Sequence, residues 1–265
     1  MTKEEQAYQY PDQYDAITMD LIGATEPYQG YWHKSEEGMI KSMLKMIDNM
    51  SLKERLYDAG CGYGRLTLRF SSYFQEIYAA EPDKERHDIC KQNLLKWKLD
   101  HKVTLIQAGA EDLAKENFFD AILCSHVIQH LPEQHVHSIL KAFHRMLKED
   151  GALFLTTSHS VSGTVQYTKS YLNKDKKRVE EGIDPISFNM LNNEKGILPV
   201  KFYTYEEITS LLHKCNFEVI DYKVYHHTRG NKQFDSMFGI DRFINLSRKR
   251  KEVYGRDLYV CAVPR

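Results

Sequence analysis

Residues 55–64 read Arg55-Leu-Tyr-Asp58-Ala-Gly60-Cys-Gly62-Tyr-Gly64. A short apolar run ends in an acid, and glycines follow at alternate positions. Residues 65–73 then have the spacing of a helix. Strand, glycine-rich turn and helix in that order place the turn at the carboxyl end of a strand, where open α/β sheets take their ligands. Glycine there permits a tight turn and close approach of backbone to a ligand. NAD, FAD and other nucleotide cofactors all use such turns. Spacing narrows the choice. A dinucleotide fingerprint reads Gly-x-Gly-x-x-Gly, and the third glycine is missing after Gly62. No Gly-Lys-Ser or Gly-Lys-Thr follows, which excludes a P-loop.

Outward from this turn, short β-rich runs alternate with helical patterns. Strands are predicted at 76–80, 102–106, 118–124 and 152–156, and an amphipathic helix at 83–97. A second helix at 133–147 carries Val136, Ile139, Leu140, Phe143 and Leu147 at helical spacing, and 149–151 reads as a turn. The alternation predicts an α/β fold: a doubly wound, mainly parallel sheet covered on both faces. After Thr157 the rhythm stops. Residues 158–200 read as loop with helical pieces, long for a compact domain. Thr204 then N-caps a helix to about Lys214, and strands follow at 217–224 and 257–263. Two helices are expected in the first 50 residues, near 12–22 and 34–50.

A length of 265 residues suits a single domain carrying an insertion. Hydrophobic residues at 42% and charged residues at 28% exclude disorder of the whole chain. Thirty-six basic against thirty-seven acidic residues argue against a nucleic-acid partner. No apolar run approaches the ~18 residues of a membrane span, and the polar, acidic first residues predict no signal peptide. The five cysteines are scattered and form no Cys-x-x-Cys, so a reducing cytoplasmic compartment is expected.

Two further pieces extend the turn. Glu81 ends the second strand, 21 residues after Gly60, where an acid can accept hydrogen bonds from both hydroxyls of a ribose. Asp83, after Pro82 and with Glu85 following, fits the N-cap of the next helix and leaves Glu81 for a ligand. Gly109-Ala110-Glu111-Asp112-Leu113 follows the third strand, placed for a backbone amide and an acid to hold an adenine edge.

Together with 119–131, with Leu147-Lys-Glu-Asp-Gly151 and with Phe202-Tyr-Thr-Tyr-Glu-Glu-Ile, these motifs resemble the class I S-adenosylmethionine-dependent methyltransferases over about residues 54–225 and 257–263. The resemblance implies a seven-stranded sheet with its last strand antiparallel, an N-terminal helical lid (1–50) and an insertion capping the acceptor pocket (158–200), all within one domain of residues 1–265. It implies S-adenosyl-L-methionine as cofactor and no metal. Asp58, Gly60, Gly62, Gly64, Glu81, Pro82 and Ser125 would line the cofactor. Many relatives carry an acid or amide where Gly109 stands, so adenine recognition would shift to the Ala110 backbone and to Glu111 or Asp112. Tyr14 and Tyr31 of the lid would face the cofactor, and Trp32 and Tyr171 the acceptor.

Methyl transfer from a sulfonium requires orientation of the acceptor lone pair and exclusion of water. His126, just past the fourth strand, is the candidate proton acceptor, with His130 beside it. His126, His130, His135 and His137 invite a zinc reading, but no cysteine or carboxylate ligand set accompanies them. The function expected is methylation of a small molecule or short peptide by a monomer or homodimer, with an amine acceptor in first place and a hydroxyl second. An RNA base methyltransferase lacks support, because Cys124-Ser-His-Val stands where an Asn/Asp-Pro-Pro-Tyr tetrad is expected. A non-catalytic cofactor-binding regulator is the alternative outside enzymes.

Overall fold

Arg55–Ala59 forms β1, which lies near the middle of the main sheet and pairs in parallel with β2 (Glu76–Ala80) on one side and β4 (Phe119–Ser125) on the other. The computed structural model describes residues 31–161, 163–175, 178–191, 197–225, 243–244 and 246–265. Beyond β2 lies β3 (Val103–Ile106), and beyond β4 lies β5 (Leu147–Ser158), both parallel to their neighbours. β10 (Asp257–Pro264) is inserted antiparallel between β5 and β9 (Phe217–Tyr225). The order along the seven-stranded sheet is β3-β2-β1-β4-β5-β10-β9. The chain winds outward from β1 to β3, then returns to β4 and winds the other way. The crevice at the carboxyl ends of β1 and β4 is therefore the topological switch point.

Period-2 alternation divides the central strands between two cores. Leu56, Ala121, Phe154 and Cys261 face helices α1 (Tyr31–Asp48), α2 (Arg65–Phe70) and α3 (Lys84–Lys96), meeting Ile40, Phe70 and Leu94. Tyr57, Ile122, Leu153 and Val260 face α4 (Glu133–Met146) and α6 (Tyr205–Lys214), meeting Phe143 and Leu212. Burial on both faces is why these strands read as continuous apolar runs. The capping residues are those expected: Asp83 accepts from the Arg86 N–H at 2.9 Å, and Thr204 Oγ1 from the Glu207 N–H at 3.2 Å.

Two sequence expectations are corrected. The described part of 158–200 holds three strands where loop with helical pieces was expected. β6 (Gln166–Leu172), β7 (Arg178–Gly182) and β8 (Ile197–Phe202) form a three-stranded antiparallel sheet of order β7-β6-β8, with one short helix, α5 (Pro185–Met190). Polar residues within the strands, buried Ser170 and Lys201 among them, break up the apolar alternation that would have announced them. The expected turn at 149–151 belongs to β5: Leu147 pairs with Phe119 and Ala152 with Ala121, so the intervening residues slip register as a bulge. The expected helix near 12–22 lies outside the described residues.

The inserted sheet docks on the carboxyl ends of β4 and β5. The Ser160 N–H donates to Tyr203 O (2.9 Å), the Tyr203 N–H to Ser158 O (3.0 Å), and a His130 ring nitrogen meets Pro199 O at 2.7 Å. Lys201 on β8 is 1% exposed, its Nζ 2.7 Å from Glu207 of α6 and 4.5 Å from the Tyr203 ring centroid. At the opposite end of the sheet, buried Asp120 ties β4 to β1 and β5. It accepts from the Glu54 and Arg55 N–H groups at 2.8 and 2.7 Å and from Lys148 Nζ at 2.6 Å. Removing this carboxylate leaves two amides without their acceptor and the Lys148 ammonium with Glu54 alone, at 3.3 Å. Asp120→Ala is expected to cost about 2–4 kcal/mol in urea unfolding, and Asp120→Asn clearly less, since an amide oxygen still accepts from both backbone groups. Equal, small losses in both variants would mean that Asp120 is not the lock.

Candidate active site

The site starts from the acid that ends β1. Asp58 is 2% exposed, and its Oδ2 accepts from Thr67 Oγ1 at 2.6 Å. Burial pushes the Asp58 carboxyl up to about 6, against the opposing pull of the Thr67 hydrogen bond and the Arg65 charge. Beyond it, the Gly60 and Cys61 N–H groups both donate to Ala80 O at 2.9 Å, which folds the turn back onto the end of β2. Gly60, Gly62 and Gly64 have φ of 77°, 57° and 84°. At Gly60 the space is closed as well: a Cβ would lie 2.4 Å from Val127 Cγ2, so the glycine turn packs directly against the Val127 side chain of the turn after β4.

Glu81 joins the same cluster. It is 5% exposed, its Oε2 accepting from the Gly62 N–H (2.9 Å) and its Oε1 from the Asp83 N–H (3.1 Å). Burial raises its pKa, while Arg86 and the two backbone bonds oppose the rise. The expectation that Glu81 is left free by the Asp83 cap is thus amended. The acid is tied to the glycine turn, though each oxygen keeps a further lone-pair direction for a hydroxyl donor. Pro82 is half-buried between Glu81 and the α3 cap. Arg86, which sequence reading passed over, lies beside Gly62 with its guanidinium 5.0 Å from the Tyr63 ring centroid.

At the end of β3, buried Ala110 is held by its carbonyl, which accepts from Tyr57 Oη at 2.9 Å. The neighbouring acids are engaged. Asp112 Oδ2 accepts from the Gly109 N–H at 2.9 Å, and Glu111 pairs with His135 Nε2 of α4. Burial pulls the Glu111 carboxyl upward, but the hydrogen bond and charge of His135 outweigh it and hold the group below its ordinary range. The same hydrogen bond raises His135. A Cβ on Gly109 would meet Asp112 Oδ2 at 2.9 Å and Glu111 Oε2 at 3.2 Å, so these two carboxylates crowd the position.

After β4, Ser125 Oγ lies 2.8 Å from Thr156 Oγ1, and the His126 N–H donates to Thr156 O at 2.9 Å. His126 has φ 55°, the left-handed region that few non-glycine residues adopt. Its Nδ1 is 3.1 Å from Gln129 Oε1. His130 is buried, with Nδ1 2.7 Å from Pro199 O and Nε2 3.2 Å from Gln129 Nε2. Expected beside His126 as a catalytic candidate, His130 instead commits both ring nitrogens to the chain and braces β8. Gln129 was missed by sequence reading. Its signal is a lone amide inside an otherwise apolar turn, between two histidines.

The residues expected in a lid are partly reached. Tyr14 lies outside the described residues, as do the side chains of Tyr31 and Trp32, whose backbone opens α1. Further along α1, buried Glu36 pairs with Arg65, the residue after Gly64, and Glu37 pairs with Arg69 at 3.0 Å. Tyr171 donates its hydroxyl to Glu181 at 2.6 Å on the inserted sheet. Among the described residues no group of three or more His, Cys, Asp or Glu is placed to hold a metal.

Strand order, switch point and glycine turn define a cofactor-binding domain of the doubly wound α/β class. A family model described as a methyltransferase domain matches residues 57–155. An uncharacterized methyltransferase, YcgJ of Bacillus subtilis, is 31% identical over 108 residues, 40% of this chain and 41% of that protein's length. A ubiquinone biosynthesis O-methyltransferase of Rickettsia typhi is 22% identical over 214 residues, 78% of each chain. The solved structure of the glycopeptide N-methyltransferase MtfA with S-adenosylmethionine superposes with a TM-score of 0.56 at 15% identity, covering 86% of this chain and 94% of that one. Over residues 57–155 the chain is thus similar to methyltransferase domains, and it shares the fold of S-adenosylmethionine-dependent methyltransferases. Its residues fit that cofactor. The glycines let Val127, Arg86 and Cys90 pack directly against the turn, and the buried Glu81 carboxylate, held at the end of β2 by the Gly62 N–H, keeps lone-pair directions for hydroxyl donors.

Asp58 gives a test of the site's electrostatics. Its folded pKa lies above the value of 3.8 for an ordinary Asp. The protonated form is therefore favoured by folding: its contribution is complete below about pH 4 and is lost as pH rises through about 6. Asp58→Asn copies the neutral form. Its stability relative to the unsubstituted protein should grow by on the order of 3 kcal/mol from pH 4 to 7. Urea unfolding at each pH measures this; parallel profiles would show an Asp58 that ionises normally.

Proposed function

We propose that the chain transfers the methyl group of S-adenosyl-L-methionine to a nucleophilic atom of a small molecule or short peptide, as a cytoplasmic monomer or homodimer. One observation carries the reading: the glycine turn, Glu81 and the His126-Val127 turn are packed together at the switch point. Among the described residues no helix is long and apolar enough to cross a membrane.

When bound, the cofactor supplies a methyl group on a positively charged sulfur that is already a good leaving group. The chain's own residues then position, exclude water and move one proton. The backbone of Gly60, Gly62 and Gly64, over Asp58, approaches the amino-acid part. Glu81 accepts from the ribose hydroxyls, with Pro82 beside it. Ala110 and Glu111 border the adenine, and His135 fixes the Glu111 carboxylate. Ser125 lies at the sulfur end. Residues 1–50, with Tyr14, Tyr31 and Trp32, act as the lid, and the inserted sheet, with Tyr171, caps the acceptor side. Docking of β8 against the turn that carries His126 supports this. His126 takes the proton that the acceptor atom loses.

An amine is the acceptor favoured here, supported by the fold shared with a glycopeptide N-methyltransferase and by the aromatic residues of the lid sequence, whose faces attract a cation. A hydroxyl is the second reading, favoured by the long alignment with an O-methyltransferase.

Calorimetry should show binding of S-adenosylhomocysteine and none of NAD. Glu81→Ala should weaken that binding at least tenfold, since hydrogen bonds to a charged acceptor contribute ~1.5–3 kcal/mol each. Unchanged affinity would remove Glu81 from the site. His126→Ala should lower turnover by about 10²–10⁴-fold with S-adenosylhomocysteine affinity preserved. Full turnover in that variant would pass the base to another residue.

A further inference from the structure

Gln129 is 7% exposed and sits between His126 and His130. Its side-chain oxygen lies 2.7 Å from the Ser158 backbone N, 3.1 Å from His126 Nδ1 and 3.4 Å from Thr157 Oγ1. Its side-chain nitrogen lies 3.2 Å from His130 Nε2, and His130 Nδ1 lies 2.7 Å from Pro199 O. Both ends of this chain of contacts are backbone groups with only one possible role. The Ser158 N–H donates, so the Gln129 atom facing it is the oxygen. The Pro199 carbonyl accepts, so His130 carries its proton on Nδ1. A neutral His130 then has its lone pair on Nε2, which requires a donor opposite, and the Gln129 amide nitrogen is that donor. The two ends agree on one orientation of the amide.

That orientation fixes His126. An oxygen faces its Nδ1, so Nδ1 carries the proton and donates. In the neutral ring Nε2 is then the lone-pair nitrogen. We infer that Gln129 is a positioning residue that holds His126 in its Nδ1–H form, so that Nε2 is the nitrogen able to take the acceptor's proton. A histidine base needs such a partner, because the wrong tautomer presents a proton where a lone pair is required. The left-handed backbone at His126 fits the same purpose: strain of that kind persists where surrounding structure over-determines a residue. The inference deepens the proposed function and rests on it only for the role of Nε2; the tautomer follows from the contacts alone.

The test is the nitrogen chemical shift of His126 in the full-length protein with ¹⁵N-labelled histidine, assigned by difference against His126→Asn. The expected pattern is a protonated Nδ1 and an unprotonated Nε2; the reverse pattern would overturn the inference. Gln129→Leu removes the acceptor, so the Nε2–H form that free histidine prefers should appear. An unchanged Nδ1–H form in a variant that still binds S-adenosylhomocysteine would also overturn it. Where Gln129→Leu does not fold, Gln129→Glu serves. Its carboxylate still accepts from Ser158 and His126, but offers His130 no donor. His126 should keep Nδ1–H while His130 becomes doubly protonated; loss of Nδ1–H at His126 counts against the inference. With acceptor, Gln129→Leu should lower kcat by about 10–100-fold, less than His126→Ala, with KM nearly unchanged. A loss of rate in His126→Ala without one in Gln129→Leu would overturn the positioning role. Full rate in both would instead remove His126 as base, leaving the tautomer to be judged by the shifts.

Discussion

The contact between Gly60 and Val127 sets the spacing of everything around it. A single methyl group at position 60 would meet Val127 Cγ2 at 2.4 Å. Because the two turns touch, the ends of β1 and β4 stay together at the point where the sheet changes direction. The rest of the crevice is held by backbone bonds radiating from the same place. Ala80 O accepts from two successive amides of the turn, and Glu81 accepts from a third. The site's two buried acids are therefore also parts of the scaffold. Desolvation raises both carboxyls, and short-range hydrogen bonds recover part of that cost.

Support from outside the crevice comes through single atoms. Tyr57, buried in β1 and stacked on Phe119 at 5.2 Å, sends its hydroxyl to Ala110 O and so sets the loop after β3. Glu36 reaches Arg65 from α1, joining that helix to the first residue after the glycine turn. Tyr225 at the far edge donates to Gly38 O at 2.8 Å and holds the same helix against β9. Each contact couples a loop or helix with some freedom to an element that has little.

The doubly wound core was legible because its signals are local. Val136, Ile139, Leu140 and Phe143 show their helix by spacing alone, and Asp83 and Thr204 show where helices begin. The turn at Gly60-Cys-Gly62-Tyr-Gly64 announces positive φ by residue type. The inserted sheet was not legible. Its strands are polar on half their positions, and lysine and serine at those positions mimic a loop. The partners of Glu81, Glu111 and His130 were hidden for another reason. Each is fixed by residues 19 to 69 positions away in the chain, and pattern within a window carries no information at that range. Gln129 gains its meaning only from the two backbone groups that face it and its neighbour.

The family match ends at residue 155, near the end of β5, and the inserted sheet begins about ten residues later. It leaves and rejoins the main fold at adjacent points, Ser158 and Tyr203, joined by a backbone hydrogen bond of 3.0 Å. A segment whose two ends meet is exchangeable: it can be lengthened, shortened or replaced without altering the path of any strand in the main sheet. Change within the segment therefore has a route that spares the crevice at the ends of β1 and β4. The same geometry makes the segment a natural graft boundary for engineering, provided that the replacement supplies a carbonyl where Pro199 now receives His130 and a cation to meet Glu207.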